Sequence, residues 1–142
     1  MNGATPSGLQ QALGSHEISV RVYYEDTDAQ GIVYFANYLR FMERGRTEWL
    51  RARGVDQRQL IDEQRLCFSL TNTSVQFKKP AQFDDELVVR TTVSQLSGAR
   101  VEFEQNLYRG DELICTGKCE AACLAVDTLR PRRLPAGLFK DE

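Results

Sequence analysis

Apolar and polar residues alternate from His16 to Glu25, with Ile18, Val20, Val22 and Tyr24 on one face and Glu17, Ser19 and Arg21 on the other, and this period of two predicts a first strand. The period then changes. From a start near Tyr34 to Asn37, the residues Tyr38, Phe41, Met42, Gly45 and Trp49 recur at three- and four-residue spacing, which predicts a helix with one apolar stripe. Arg40, Glu43, Arg44, Glu48 and Arg51 fall on its remaining, solvated face. Gly54 is placed to close the helix in a left-handed conformation, and Asp56 with Gln59 has the form of a capping box that opens a short second helix through about Glu63. Beyond it the pattern is β, with strands near Cys67 to Lys79, Glu86 to Leu96, Arg100 to Tyr108 and Leu113 to Val126. Pro80, Ser97-Gly98 and Gly110-Asp111 supply the turns of an antiparallel meander.

One long helix between the first strand and a run of four more predicts an α+β domain, a five-stranded antiparallel sheet whose apolar face wraps that helix. In the last strand Leu113, Cys115, Gly117, Cys119, Ala121, Cys123 and Ala125 share a face, small enough for Gly45 of the helix to approach it closely. Three of those cysteines recur at every fourth position, a spacing that gathers metal ligands on a helix but spreads them too far apart on a strand, so no metal is expected. The chain of 142 residues is read as one domain over 16–134, with a loose tail over 1–15 and a short one over 135–142. The run Arg130-Pro131-Arg132-Arg133 reads as an extended, solvated basic segment.

The formal net charge of −2 excludes a nucleic-acid binder held by bulk electrostatics, and no stretch is long and apolar enough to span a bilayer. Residues 1–15 lack the basic start and apolar stretch of a signal peptide, so the four cysteines are expected as reduced thiols in a cytoplasmic protein. His16 is the sole histidine, which leaves Ser-His or Cys-His chemistry little to draw on.

The run from Tyr24 to Tyr38 sets two carboxylates, Asp26 and Asp28, and a Gly turn directly between a strand and a helix start. Free backbone N–H groups at a helix start favour developing negative charge, as on the oxygen of a carbonyl under attack. A carboxylate attacks a thioester far more readily than an amide, or it delivers water as a general base. Asp26, Thr27 and Asp28 suit turn capping equally well, and the residues alone do not separate the two roles.

The run Glu25-Asp26-Thr27-Asp28-Ala29-Gln30-Gly31-Ile32-Val33-Tyr34-Phe35-Ala36-Asn37-Tyr38, followed by Phe41-Met42-Glu43-Arg44-Gly45-Arg46-Thr47-Glu48, closely resembles the hotdog-fold acyl-CoA thioesterases of the 4-hydroxybenzoyl-CoA thioesterase family. The nearest branch is similar to the Tol-Pal-associated thioesterases, and the likeness extends from His16 to Leu134, including the Pro-Ala and paired Asp of Phe77 to Asp85. The resemblance implies hydrolysis of short- or medium-chain or aromatic acyl-CoA, with Asp28 as nucleophile or general base, Asp26 as a turn former and the Phe35 backbone N–H as oxyanion donor. The Tol-Pal branch usually carries histidine where this chain has Phe35, and the hydroxybenzoyl branch an aromatic. Thr73 and Ser74 match positions facing the acyl cleft, and Tyr34 and Asn37 stand beside Phe35. Lys78, Lys79 and Arg132 are cations available to the coenzyme A phosphates. Coenzyme A enters as substrate with no further cofactor, acyl carrier protein is an alternative carrier, and the family's joined sheets imply a homodimer or homotetramer. Two other readings stand beside this one. A hydroxyacyl dehydratase of the same fold relies on a histidine, which here is only His16, and a non-catalytic dimer would bind acyl-CoA or acyl carrier protein in an envelope or lipid-synthesis complex.

Overall fold

The computed structural model describes residues 13–139. Strand β1 spans Ser15–Arg21, helix α1 Asn37–Ala52 and helix α2 Gln57–Gln64, followed by strands β2 Leu66–Phe77, β3 Glu86–Ser97, β4 Arg100–Arg109 and β5 Glu112–Ala125. The strands form one antiparallel five-stranded sheet in the order β1-β3-β4-β5-β2, as the alternation predicts. Long antiparallel connections place β1 and β2 at the two edges, while the tight loops Gly98-Ala99 and Gly110-Asp111 join the central strands. The first of these loops lies one residue later than Ser97-Gly98, because Ser97 still pairs with Arg100.

Helix α1 buries Tyr38, Phe41, Met42, Gly45, Trp49 and Leu50, the stripe that its spacing predicts plus one residue. Its termination is local chemistry: Gly54 adopts a positive φ of 85°, and the Asp56 carboxylate accepts from Gln59 N at 3.1 Å to start α2. The helix rests on β1, β3 and β4. Gly45 therefore meets β3 and β4 rather than the small-residue face of β5: a Cβ there would stand 2.8 Å from Val89 Cγ1 and 2.9 Å from both Thr91 Oγ1 and Gln105 Nε2. Gly117 on β5 serves a different neighbour, the end of the Met42 side chain.

Beneath the middle of α1 lies a buried polar cluster. Gln105 Nε2 donates to Met42 O at 2.8 Å and to Thr91 Oγ1 at 2.9 Å, and Arg46 Nη1 donates to Gln105 Oε1 at 3.1 Å. Each amide atom of this inward-facing glutamine is thus engaged, as burial demands. Around it the core divides in two, one part around Phe41, Met42, Leu87 and Ile114, the other around Trp49, Val93, Phe103 and Leu60. Leu13, Leu134, Leu138 and Phe139 pack on the second part, and the Phe139 ring meets Trp49 edge-on at 5.4 Å. The basic run after Asp127 is extended: Ala125 N donates to Arg130 O at 2.9 Å and Arg132 N to Cys123 O at 2.8 Å, beyond the end of β4.

Cys115, Cys119 and Cys123 are buried on β5. Burial pushes all three thiols up, Cys115 to about 12, so they are neutral packing groups at ordinary pH. Among the described residues, no helix is long and apolar enough to cross a membrane.

Candidate active site

Strand β1 ends at Arg21, four residues before the boundary that alternation suggests. The cause is Asp26, whose buried carboxylate accepts from Tyr23 N at 2.8 Å and holds Tyr24–Asp26 in a single 3-10 turn. Tyr24, expected on the inner face of the strand, is instead exposed and stacked on Phe83 with ring centroids 3.9 Å apart. The backbone carbonyl of Asp26 then accepts from Tyr34 N at 2.9 Å and from Asn37 Nδ2 at 2.8 Å. One residue thereby fixes both the end of the strand and the start of α1.

Between these anchors the chain makes a short loop and returns. Thr27 bridges Val33, Asp28 N donates to Ile32 O at 2.9 Å, and Gly31, at a positive φ of 79°, donates its N–H to Asp28 O at 3.0 Å. A second anchor comes from the segment after Pro80, through the Ile32–Gln82 bridge and Val33 N to Ala81 O at 2.8 Å. The Asp28 side chain is exposed; its Oδ1 accepts from Gln30 N at 2.8 Å, and its Oδ2 has no hydrogen-bond partner among the described residues. The carboxylate is held by one oxygen and presents the other.

At the helix start, Asn37 N donates to Tyr34 O at 2.8 Å and Tyr38 N to Phe35 O at 3.2 Å. No side chain caps the helix, and no hydrogen bond among the described residues engages the N–H of Phe35 or Ala36. Such orphan donors at the positive end of a helix are what an oxyanion requires. The exposed Phe35 ring leans on Tyr34 and meets Phe77 edge-on at 6.3 Å. Tyr38 accepts from Ala81 N at 3.0 Å through its hydroxyl, and burial pushes its phenol above the usual range, with that hydrogen bond opposing. Phe35, Tyr38, Phe77, Ile32, Lys78 and Pro80 line an open groove of about 350 Å³. Tyr38 and Phe77 were legible only as apolar positions of helix and strand; their part in the groove depends on how α1 sits on the sheet.

The remaining expected residues separate. Thr73 pairs with Cys119 and so shares the helix-facing side of β2 with Val75 and Phe77, whereas Ser74 pairs with Lys118 and lines a polar recess on the opposite face with Gln76, Glu104 and Thr116. Asn37 spends its amide donor on Asp26. Lys78 and Lys79 lie at the groove beside Phe35, but Lys79 Nζ is paired with Glu112 at 2.7 Å. Arg132 stands at the far end of β5, near Cys123, while Lys78 N and Lys79 N bond to Ile114 O at the near end. The three cations do not form one phosphate site within the chain.

A family model described as the thioesterase-like superfamily matches residues 22–140. The chain belongs to the thioesterase-like superfamily. This thioesterase is 42% identical over 116 residues to the acyl-CoA thioesterase YbgC of Haemophilus influenzae, covering 82% of its own chain and 85% of that protein. It is 33% identical over 122 residues to a 1,4-dihydroxy-2-naphthoyl-CoA hydrolase of Thermosynechococcus vestitus, covering 82% and 84% of the two chains. A crystal structure of a probable thioesterase from Bartonella henselae superposes with a TM-score of 0.82 at 39% identity, covering 86% of this thioesterase and all of that chain. The five-stranded sheet around one long helix is the hotdog architecture of these thioesterases.

Proposed function

We propose that this chain hydrolyses acyl-CoA thioesters, with Asp28 as the reacting carboxylate and the Phe35 N–H as the donor that receives the carbonyl oxygen. The observation that carries the reading is the pair of unengaged groups on one braced loop, Asp28 Oδ2 and the Phe35 N–H, either side of the Thr27–Val33 bridge. A thioester carbonyl placed with its oxygen at the N–H exposes its carbon to the carboxylate. In one route Asp28 attacks, the C–S bond breaks, coenzyme A leaves as thiolate, and water opens the resulting mixed anhydride to return the carboxylate. In the other, Asp28 takes a proton from water as the water attacks, the C–S bond breaks, and the proton passes from Asp28 to the departing thiolate. Both restore Asp28 and consume one water.

The acyl group belongs against the aromatic side chains of Phe35, Tyr38 and Phe77, a lining that suits an aromatic or a short- to medium-chain acyl group. The names of the relatives in Haemophilus influenzae and Thermosynechococcus vestitus, acting on acyl-CoA and on a naphthoyl-CoA, support both choices. Lys78, at the groove and without an ion-pair partner among the described residues, is the cation placed for a carrier phosphate, whether of coenzyme A or of acyl carrier protein. The edge strand β2 presents unpaired backbone groups along its outer side, and its pairing with a second copy makes the working enzyme a homodimer in a cytoplasmic, reducing setting.

The test is release of free thiol from a panel of butanoyl-, hexanoyl-, dodecanoyl-, benzoyl- and naphthoyl-CoA. At least one substrate should be turned over, and Asp28→Asn should abolish release without changing the fold. Saturable acyl-CoA binding with no thiol release from any member would instead favour the non-catalytic reading.

A further inference from the structure

A second groove lies further along α1, and the Met42 side chain stands between it and the first. About 200 Å³ of space is lined by Arg46, Thr47 and Leu50 of α1, Phe68 and Leu70 of β2, and Phe103 of β4, with Ala121 of β5 at its floor. The groove at Phe35 is lined by Tyr38 of α1 and Phe77 of β2. Between the two, the positions are Met42 on the helix, Gly117 and Cys119 on β5, and Val75 and Thr73 on the helix-facing side of β2. Met42 fills that gap. Its Sδ and Cε stand 2.8 Å and 2.7 Å from where a Cβ on residue 117 would lie, so the thioether end occupies the place a strand side chain would take. Met42 is 1% exposed, and Val75 packs against the same cluster.

We propose that Met42, seated in the socket left by Gly117, is the stop that ends the acyl cleft and sets the longest acyl chain this protein accepts. The proposal rests on the reading of the Phe35 groove as the acyl site. Met42 stands roughly 7.5 Å along α1 from its first residue, Asn37, next to the Phe35 turn, so a short acyl group fits before the stop and a long one runs into it. Beyond the stop, Leu50, Phe68, Leu70 and Phe103 offer an apolar wall along which an aliphatic chain can continue, although Glu43, Arg46, Thr47 and Gln57 line the same groove. Methionine suits such a place because its unbranched side chain fills an irregular gap between helix and sheet, and here it is held in the buried cluster. The Gly117 socket is what lets the side chain lie on the sheet, and a Cβ at 117 would push the thioether end aside.

The test compares binding of hydrolysis-resistant S-butyl-, S-hexyl- and S-dodecyl-coenzyme A thioethers to the wild-type full chain, Met42→Ala and Met42→Leu. Removing the stop should raise the affinity for S-dodecyl relative to S-butyl by at least about tenfold in Met42→Ala, since a few accommodated methylenes discriminate by that much. Met42→Leu conserves volume but ends one atom shorter, and should shift the same ratio by about threefold; it decides the matter if Met42→Ala fails to fold. A ratio unchanged from wild type in the folded variants overturns the proposal, as does a wild-type chain that already binds the S-dodecyl thioether as tightly as its chain length alone would give. Thioethers are not cleaved, so this outcome is independent of thiol release from the acyl-CoA panel, which judges the hydrolytic reading by itself.

Discussion

The two halves of the sheet are used differently. Over β1, β3 and β4, helix α1 lies so close that Gly45 touches Val89, Thr91 and Gln105, and every inward polar atom of Gln105 is spoken for. Over β5 and β2 the helix stands off, and open grooves lined by Phe35, Phe77, Phe68 and Leu70 run between helix and sheet. The first half holds the fold; the second leaves room for a ligand. A helix placed off the centre of its sheet yields both, and the strand–loop–helix junction that sets its position also carries Asp28 and Phe35.

The largest effect on the covered half should come from Trp49, which is fully buried between Phe103, Phe139 and the Arg53 guanidinium. Trp49→Ala should cost about 3–5 kcal/mol in urea unfolding. A smaller but more discriminating experiment places one methyl in each half. Gly45→Ala drives a Cβ into two β-branched side chains and a hydrogen-bonded amide, and should lose about 1–2 kcal/mol after the helix-propensity gain is set against the overpacking. Gly117→Ala meets the flexible end of Met42, with Ser74 O at an ordinary 3.6 Å, and should lose less than Gly45→Ala, about 1 kcal/mol or under. Equal losses at both sites would erase the contrast between the halves.

The smallest effect is electrostatic and lies at the rim of the open half. Lys79 and Arg109 hydrogen-bond the Glu112 carboxylate and hold it below its ordinary value of 4.5. A carboxylate lowered in the folded state contributes stability that is present above that ordinary value and is lost as pH falls through the folded one. Glu112→Gln should therefore lower the melting temperature slightly at neutral pH, where the contribution is present, and leave it nearly unchanged well below pH 4.5, where wild type has lost it too, so that the variant's fall with acid is shallower.

Most of the architecture was legible because inward and outward residues alternate cleanly along β3, β4 and β5, and because Gly54 and Asp56 mark the helix ends by their own chemistry. The contact made by Gly45 was not, since small residues on β5 and on the helix suggest a match that the lateral placement of α1 denies. The buried cluster had a signal: Thr91 and Gln105 occupy inward positions in otherwise apolar alternation, and polar residues there must find partners. Tyr24 was misplaced because a local hydrogen bond from Tyr23 N to the Asp26 carboxylate ended the strand before its apolar pattern did. At the site, the resemblance put Asp28 and Phe35 on one loop, and the two aspartates differ in their hydrogen bonds: buried Asp26 accepts from Tyr23 N, whereas exposed Asp28 accepts from Gln30 N through one oxygen only. Thr73 and Ser74 looked equivalent in sequence, yet adjacent strand residues face opposite sides of a sheet.

That difference between neighbouring aspartates offers the most direct trial of the whole account. Thiol release and melting temperature should be measured side by side for Asp26→Ala and Asp28→Asn. Asp26→Ala removes the acceptor for Tyr23 N and should lower stability by about 1–3 kcal/mol. Asp28→Asn should melt as the wild type does while its turnover falls by at least about a hundredfold. Undiminished turnover in a folded Asp28→Asn would contradict the assignment of the reacting carboxylate.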